Sequence, residues 1–328
     1  MWWVLQSIDG AQVAAAFRSA DRLLLLIALG ITVLSYLIRA FRWPFFFKFG
    51  PPSFANSWRC LILGFFMNNI LPARLGEFVR AHLGGRATNQ SRTRVLATIA
   101  AERLADGLAI SLLFAFLFTF GTSAQEAEEG RALFFVAYGF VAIGIATALV
   151  IFQRERAFHL LELIGKRLSG KYSQYTLSRV VIFIEGLEPL LKLSSFVRLA
   201  SLSAIIWCLE LSVYFLVSTA FQQQMSIGGL ALFMAVVNFS SLIPAAPGGI
   251  GTIEAVATLA LVHIGIPNEI ALAMVVSQHI IQWLVVGIPG AYFFIFTMGG
   301  RIPEPASGEV GEGEESIDTP LKQIQPLR

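Results

Sequence analysis

The sequence predicts an all-α polytopic membrane protein, built as an inverted repeat around two re-entrant helical hairpins. Three observations lead there. First, the 328 residues are 56% hydrophobic and only 14% charged, with a mean hydropathy of +0.70. A soluble domain is nearer a quarter charged, and no soluble core needs so many apolar residues. Second, two short apolar stretches break at proline and restart with a glutamate, MNNILPARLGE (67–77) and VVNFSSLIPAAPGGIGTIE (236–254). Third, the Lys and Arg residues cluster so that one path through the membrane places every large cluster on the same side.

Each element follows in chain order. Residues 1–20 suit a short interfacial helix with Trp2, Trp3 and Phe17 on its apolar side. The N-terminus is not expected to be a cleavable signal, since its first long apolar run ends in arginines. Leu23 to Phe41 can span, closed by an aromatic-basic anchor of Arg39, Arg42, Trp43 and Lys48. Phe54 to Leu71 is short, and Pro72 ends it. Glu77 to Leu83 forms a second short helix, and Arg94 to Phe120 a long one with Glu102, Arg103 and Asp106 embedded. An acidic loop, Gln125 to Gly130, leads into a span over Arg131 to Phe152. Residues 154–198 carry eight Lys or Arg with apolar residues at helical spacing, which suits amphipathic helices on the membrane surface. No Lys or Arg occurs between Leu199 and Gly300. Leu199 to Phe221 spans, Leu230 to Ile243 and Gly251 to Ile264 are short, and Glu269 to Met298 is long but interrupted by Pro289. One transmembrane domain over 1–300 is expected, in halves of about 20–152 and 199–298, followed by a disordered acidic tail over 301–328.

A full crossing by Phe54 to Leu71 would put the five arginines of Arg74–Arg94 opposite the Arg39–Lys48 cluster. A hairpin that enters and returns keeps both on the cytoplasmic side. Irregular backbone at membrane depth is tolerated only against protein or water, so the hairpin implies a hydrated cavity. The second hairpin enters from the opposite side. Asn69…Pro72…Gly76-Glu77 resembles Asn238…Pro244…Gly251-x-x-Glu254, and Asn69, Pro72, Gly76, Asn238, Pro244 and Pro247 are the expected hinge positions. Glu102-Arg103…Asp106 corresponds loosely to Gln278-His279…Gln282. Paired broken segments in matching places point to a transporter's binding site; the plainer alternative is two ordinary Pro/Gly kinks.

The strings NNILPARLGEFVR (68–80), AERLAD (101–106) and PAAPGGIGTIE (244–254) resemble the transmembrane region of the lysylphosphatidylglycerol synthase family, also called flippase-like. The resemblance runs from about Arg39 to Thr297. It implies movement of a membrane lipid (a phospholipid, an isoprenoid-linked or a hopanoid-related lipid) across the inner membrane, or support of a lipid-biosynthesis enzyme as partner. The bifunctional members carry a soluble aminoacyl-transferase domain after the membrane part. Here a short acidic tail follows, which supports the flippase half and argues against the synthase half.

The candidate substrate-binding residues are Arg74, Glu77, Arg80, Arg103, Asp106, Gly248, Gly249, Gly251 and Glu254. An unpaired charge at a helix centre costs about 2.5–3.5 kcal/mol on insertion scales, so Arg103 either pairs with Asp106 to hold helices together or engages a lipid phosphate. Arg74, Glu77 and Arg80, at spacing three, are expected on one face of the returning helix, as phosphate ligands or as snorkelling anchors. Arg86, Arg92 and Arg94 serve topology. The Pro247–Thr252 turn can offer backbone N–H groups to an anion at a half-helix start, and its glycines also permit a tight turn. Glu254 can titrate, pair with Arg103 or Arg74, or meet a cationic headgroup. Glu210 and His279 are weaker candidates, expected to be satisfied by backbone groups. Two cysteines and four histidines, all scattered, suggest no disulfide framework, metal or cofactor, and no hydrolase or metalloprotease motif is present, so no enzyme is expected. Nothing reads as a nucleic-acid surface. A small-solute or ion-coupled transporter and an accessory subunit of a lipid-modifying enzyme are the alternatives.

Overall fold

A computed structural model describes residues 9–71, 74–121, 193–241, 243 and 246–298, with shorter helical pieces inside 135–149 and 179–187. Trp2, Trp3, Pro72, Pro244, the acidic loop, most of 131–152 and 154–178, and the tail lie outside the described residues. Every labelled element is helical. Asp9 caps α1 (Gly10–Ser19) by accepting from the Ala11 N–H at 2.8 Å, and Asp21 caps α2 (Arg22–Arg42) by accepting from Leu23 and Leu24. Phe17 of α1 packs edge-on against Phe221. A 3-10 turn over Trp43–Phe46 extends α2. Then come α3 (Phe54–Ile70), α4 (Gly76–Thr88), α5 (Arg92–Gly121), α6 (Leu193–Ala220), α7 (Ile227–Ser240), α8 (Thr252–His263) and α9 (Asn268–Phe293).

Among the described residues, four helices are long and apolar enough to cross a membrane: α2 with its 3-10 extension, α5, α6 and α9. The chain is therefore a multi-pass membrane protein. The other four large helices are too short. At about 1.5 Å per residue, α3 reaches about 26 Å and α8 about 18 Å, against a hydrocarbon core of roughly 30 Å. The short helices come in two pairs, α3 with α4 and α7 with α8, each pair packed together and each followed by a long helix.

Small residues let the first pair close up. Gly64 faces Arg80 and Gly76 faces Asn68, so α3 and α4 run antiparallel. A Cβ at Gly76 would collide with the Gly64 carbonyl oxygen. The turn between them is anchored by the Asn68 Oδ1, which accepts from the Gly76 N–H at 2.9 Å. Ser226 caps α7 by accepting from the Gly229 N–H at 2.9 Å. Twelve of the fourteen α7 residues are buried, so α7 is the centre of the bundle, apolar on all sides. It packs on α5, α6 and α8, and Ala231–Val237 with Tyr214, Phe114 and Met274 form the largest core among the described residues.

Two expectations change here. Pro289 does not interrupt the last long helix. α9 runs through it to Phe293, and a π turn follows over Phe294–Met298. Arg39 and Arg42 are not headgroup anchors. Thr32, Ser35, Arg39 and Arg42 lie on one face of α2, and that face is turned into the bundle, with Arg42 completely buried.

Candidate functional site

The buried face of α2 meets the acidic residues of α5. Arg42 grips Asp106 with two bonds, Nη1 to Oδ1 at 2.7 Å and Nη2 to Oδ2 at 3.0 Å. Arg39 donates to Asp106 Oδ2 at 3.0 Å and to Glu210 Oε1 of α6 at 3.4 Å. Arg80 of α4 donates to Glu102 Oε2 at 2.6 Å and stacks on the Trp43 ring at 4.2 Å. Glu210 also accepts from Ser35 at 2.8 Å. This network ties α2, α4, α5 and α6 together with bidentate and stacked guanidinium contacts, for which arginine is better suited than lysine.

Beside the network lies a cavity of about 220 Å³. Arg39, Asp106 and Glu210 form its charged floor. Arg103 enters from α5, Tyr36 from α2, and Gln278, His279 and Gln282 from α9. Asn68 and Asn69 line it from the end of α3, Asn238 and Ser241 from the end of α7, and Gly248 and Gly249 from the turn before α8. Trp207 and Trp283 supply aromatic walls. Thus both breaks between the short helices open onto one polar space.

Arg74 joins the two breaks. Its Nη1 donates to the Ser241 carbonyl at 3.2 Å, from a backbone with φ 56°. It lies two residues before α4 begins at Gly76, outside the helical repeat. That overturns the expectation that Arg74, Glu77 and Arg80 share a helix face. Instead Arg74 points across the cavity, Glu77 turns to Arg103, and Arg80 is buried against Glu102 and Trp43, away from the cavity. Arg74 is half-buried, and among the described residues no carboxylate pairs with it.

Arg103 does not pair with Asp106. Its Nε donates to Glu77 Oε1 at 3.0 Å, and its guanidinium lies 4.9 Å from the Phe65 ring centre. Glu254 pairs with neither Arg103 nor Arg74. Its Oε2 accepts from the Gly251 N–H at 2.6 Å, and its Oε1 lies 2.6 Å from Nδ1 of His279. The Glu254 carboxylate therefore occupies the start of α8, the place where an outside anion was expected. The Gly249 N–H is also taken, by the Ala246 carbonyl at 2.9 Å. Gly248, Gly249 and Gly251 have φ of 67°, 73° and 82°, conformations that glycine adopts freely. Pro247 opens the 3-10 turn that holds them, and Gly251 and Glu254 sit behind the cavity wall.

Glu210 and His279 are satisfied by side chains more than by backbone. Gln282 bridges Glu210 at 3.4 Å and the Tyr36 hydroxyl at 2.8 Å. His279 holds Glu254 and Trp283. The residues missed from the sequence are thus Arg39, Arg42, Tyr36, Trp207, Gln278 and Gln282; the polar stripe Thr32–Ser35–Arg39–Arg42 along an otherwise apolar helix is the signal that marks the first two.

The two broken pairs share a pattern of connection. Glu77, near the start of α4, pairs with Arg103 on the long helix that follows. Glu254, near the start of α8, pairs with His279 on the long helix that follows it. Comparison with known families gives a match to the description "Lysylphosphatidylglycerol synthase TM region" over residues 1–290. The chain belongs to that family. Relatives include a UPF0104 membrane protein of Methanothermobacter thermautotrophicus, 23% identical over 85% of this chain and 87% of its own. One from Methanocaldococcus jannaschii is 26% identical over 73% of this chain and 97% of its own. A third, from Pyrococcus horikoshii, is 26% identical over 87% of this chain and 89% of its own. No solved structure matches the chain. Within the matched span, Asn68, Asn69 and Arg74, Arg103 and Asp106, and Gly248 and Gly249 line the cavity.

Proposed function

We propose that the protein moves an anionic lipid headgroup between the leaflets of the plasma membrane, holding it in the cavity while the acyl chains stay in the bilayer. The carrying observation is Arg74, a half-buried cation lining the cavity whose hydrogen-bond partner among the described residues is a neutral carbonyl. A guanidinium kept in such a place is ready for a phosphate oxygen pair. Arg103 stands beside it with its charge partly offset by Glu77. Asn68, Asn69 and Asn238 add amide groups for the remaining headgroup oxygens.

Short paired helices fit two re-entrant hairpins, and the matching Glu77–Arg103 and Glu254–His279 pairs fit an inverted repeat. Rocking of one half against the other would pull Arg74 away from Ser241 and open the cavity to alternate sides. Membership in a family named for a lipid synthase supports a lipid as cargo.

The test is leaflet exchange of labelled phosphatidylglycerol in vesicles holding the purified protein. A charge-assisted hydrogen bond is worth about 1.5–3 kcal/mol, so Arg74→Gln should slow exchange roughly ten- to hundredfold. Folding should change little, because no carboxylate loses its partner. Exchange at the wild-type rate by a folded Arg74→Gln protein would overturn the assignment.

A further inference from the structure

His279 sits among three groups that cannot all be satisfied at once. Its Nδ1 lies 2.6 Å from Glu254 Oε1. Its Nε2 lies 2.9 Å from the indole Nε1 of Trp283 and 3.1 Å from the carbonyl oxygen of Gly248. An indole N–H only donates, and a carbonyl oxygen only accepts. With Nε2 bare, Nδ1–H donates to Glu254 and Nε2 accepts from Trp283, while the Gly248 carbonyl faces a lone pair. With one proton on Nε2, the imidazole donates to Gly248, and Trp283 must release.

Both alternatives reach the cavity. Gly248 and Trp283 line it, and the Trp283 ring lies directly on Gly248, where a Cβ would strike it. Gly248 belongs to the break between α7 and α8. A single proton therefore exchanges an interaction within α9 (Trp283 to His279) for one between α9 and this break (His279 to Gly248). The first half has a fixed charge in the corresponding place, since Arg103 pairs with Glu77 as His279 pairs with Glu254. Arginine keeps its charge at any physiological pH, and histidine does not.

We propose that His279 is a proton-carrying site, that a proton taken up at Nε2 switches the α7–α8 break between two positions, and that cargo movement is coupled to that proton. The coupling rests on the transport reading above; the proton site does not. The proton comes from water in the cavity and returns to it, with no other bond made or broken. The charged and titratable groups that face this site are few. Glu254 contacts it from α8. Across the cavity stand Tyr36 and Arg39 of α2, Glu210 of α6, Arg103 and Asp106 of α5, and Arg74 before α4. Arg59 of α3 stacks instead on Phe293, at the far end of α9, and α1 brings only the exposed Asp9 and Arg18.

The test reads Trp283 directly. Tryptophan fluorescence of the full-length protein in lipid nanodiscs is titrated from about pH 8.5 to about pH 4.5, the range in which histidines change charge. Subtracting Trp283→Phe isolates the one indole. A step with one-proton steepness is expected, lost in His279→Gln. Absence of the step in wild type, or the same step in His279→Gln, would overturn the proton site. In vesicles, one proton per lipid should shift the steady leaflet ratio of labelled phosphatidylglycerol about tenfold per pH unit imposed. A ratio indifferent to the gradient would overturn the coupling. A clear fluorescence step with no lipid exchange at all would support the proton site and count against the lipid as cargo.

Discussion

Replacing Asp106 by asparagine should unfold this protein more readily than any single change in the cavity wall. The carboxylate holds Arg42 with bonds of 2.7 and 3.0 Å and Arg39 with one of 3.0 Å. Asparagine keeps the volume but brings an N–H₂ against guanidinium donors. Arg39 retains Glu210 at 3.4 Å. Arg42, with no exposed surface, loses its ionic partner there and keeps Ser203, a Glu102 oxygen 3.7 Å away and the Phe46 ring. Removing one partner of a buried ion pair costs about 3–5 kcal/mol, chiefly because the other charge stays buried. Taking out both partners, in Asp106→Leu with Arg42→Met, removes that penalty. The double variant should then be within about 2 kcal/mol of wild type, giving a favourable coupling of at least about 4 kcal/mol. Equilibrium unfolding in mixed detergent micelles, followed by tryptophan fluorescence, measures all of the variants needed. A cost below about 1 kcal/mol for Asp106→Asn, or two single costs that simply add in the double variant, would refute the reasoning.

Three further outcomes follow from other contacts. Gly76→Ala should destabilise by about 1–3 kcal/mol in the same assay, because its Cβ meets the backbone of Gly64 and Asn68, which cannot swing aside. Arg80→Lys keeps the charge near Glu102 but loses the planar stack on Trp43; a loss of about 1–2 kcal/mol is expected, and an unchanged midpoint would show the stack to be idle. Asp21→Ala removes the acceptor for the Leu23 and Leu24 N–H groups, and should cost about 1 kcal/mol while leaving phosphatidylglycerol exchange at the wild-type rate.

The helices were legible because membrane thickness sets a length and hydropathy marks it. The expected span Leu23–Phe41 appears as Arg22–Arg42, and Leu199–Phe221 as Leu193–Ala220. The short helices were legible from their proline and glycine breaks, and the polar residues at those breaks do gather at one cavity. Pairing was not legible. Arg39 reaches Asp106 across 67 residues of chain and Glu210 across 171, distances at which sequence spacing carries no geometric information. An arginine near a helix end can snorkel outward or turn inward with equal local logic, and only packing of α2 on α6 decides. Arg74 was misplaced for a local reason. A helical repeat counted from Arg74 fails because the helix begins at Gly76, and two residues are enough to send a side chain to another face. Pro289 stands inside α9 without ending it, as prolines within membrane-spanning helices can.

The cross-linked arginines also bear on how the chain is made. α2 leaves the ribosome some 60 residues before Asp106. During that interval Arg39 and Arg42 have no acid to meet, and burying either alone would cost about 2.5–3.5 kcal/mol. Their place near the end of α2 resolves the conflict, for there a long side chain can stay with water until α5 arrives. Insertion and final packing are then separate events, with the inward turn of α2 delayed until Glu102 and Asp106 have been inserted. Glu210, later still, completes the site. An interruption of synthesis between α2 and α5 would leave a helix seated in the bilayer with its arginines still in water.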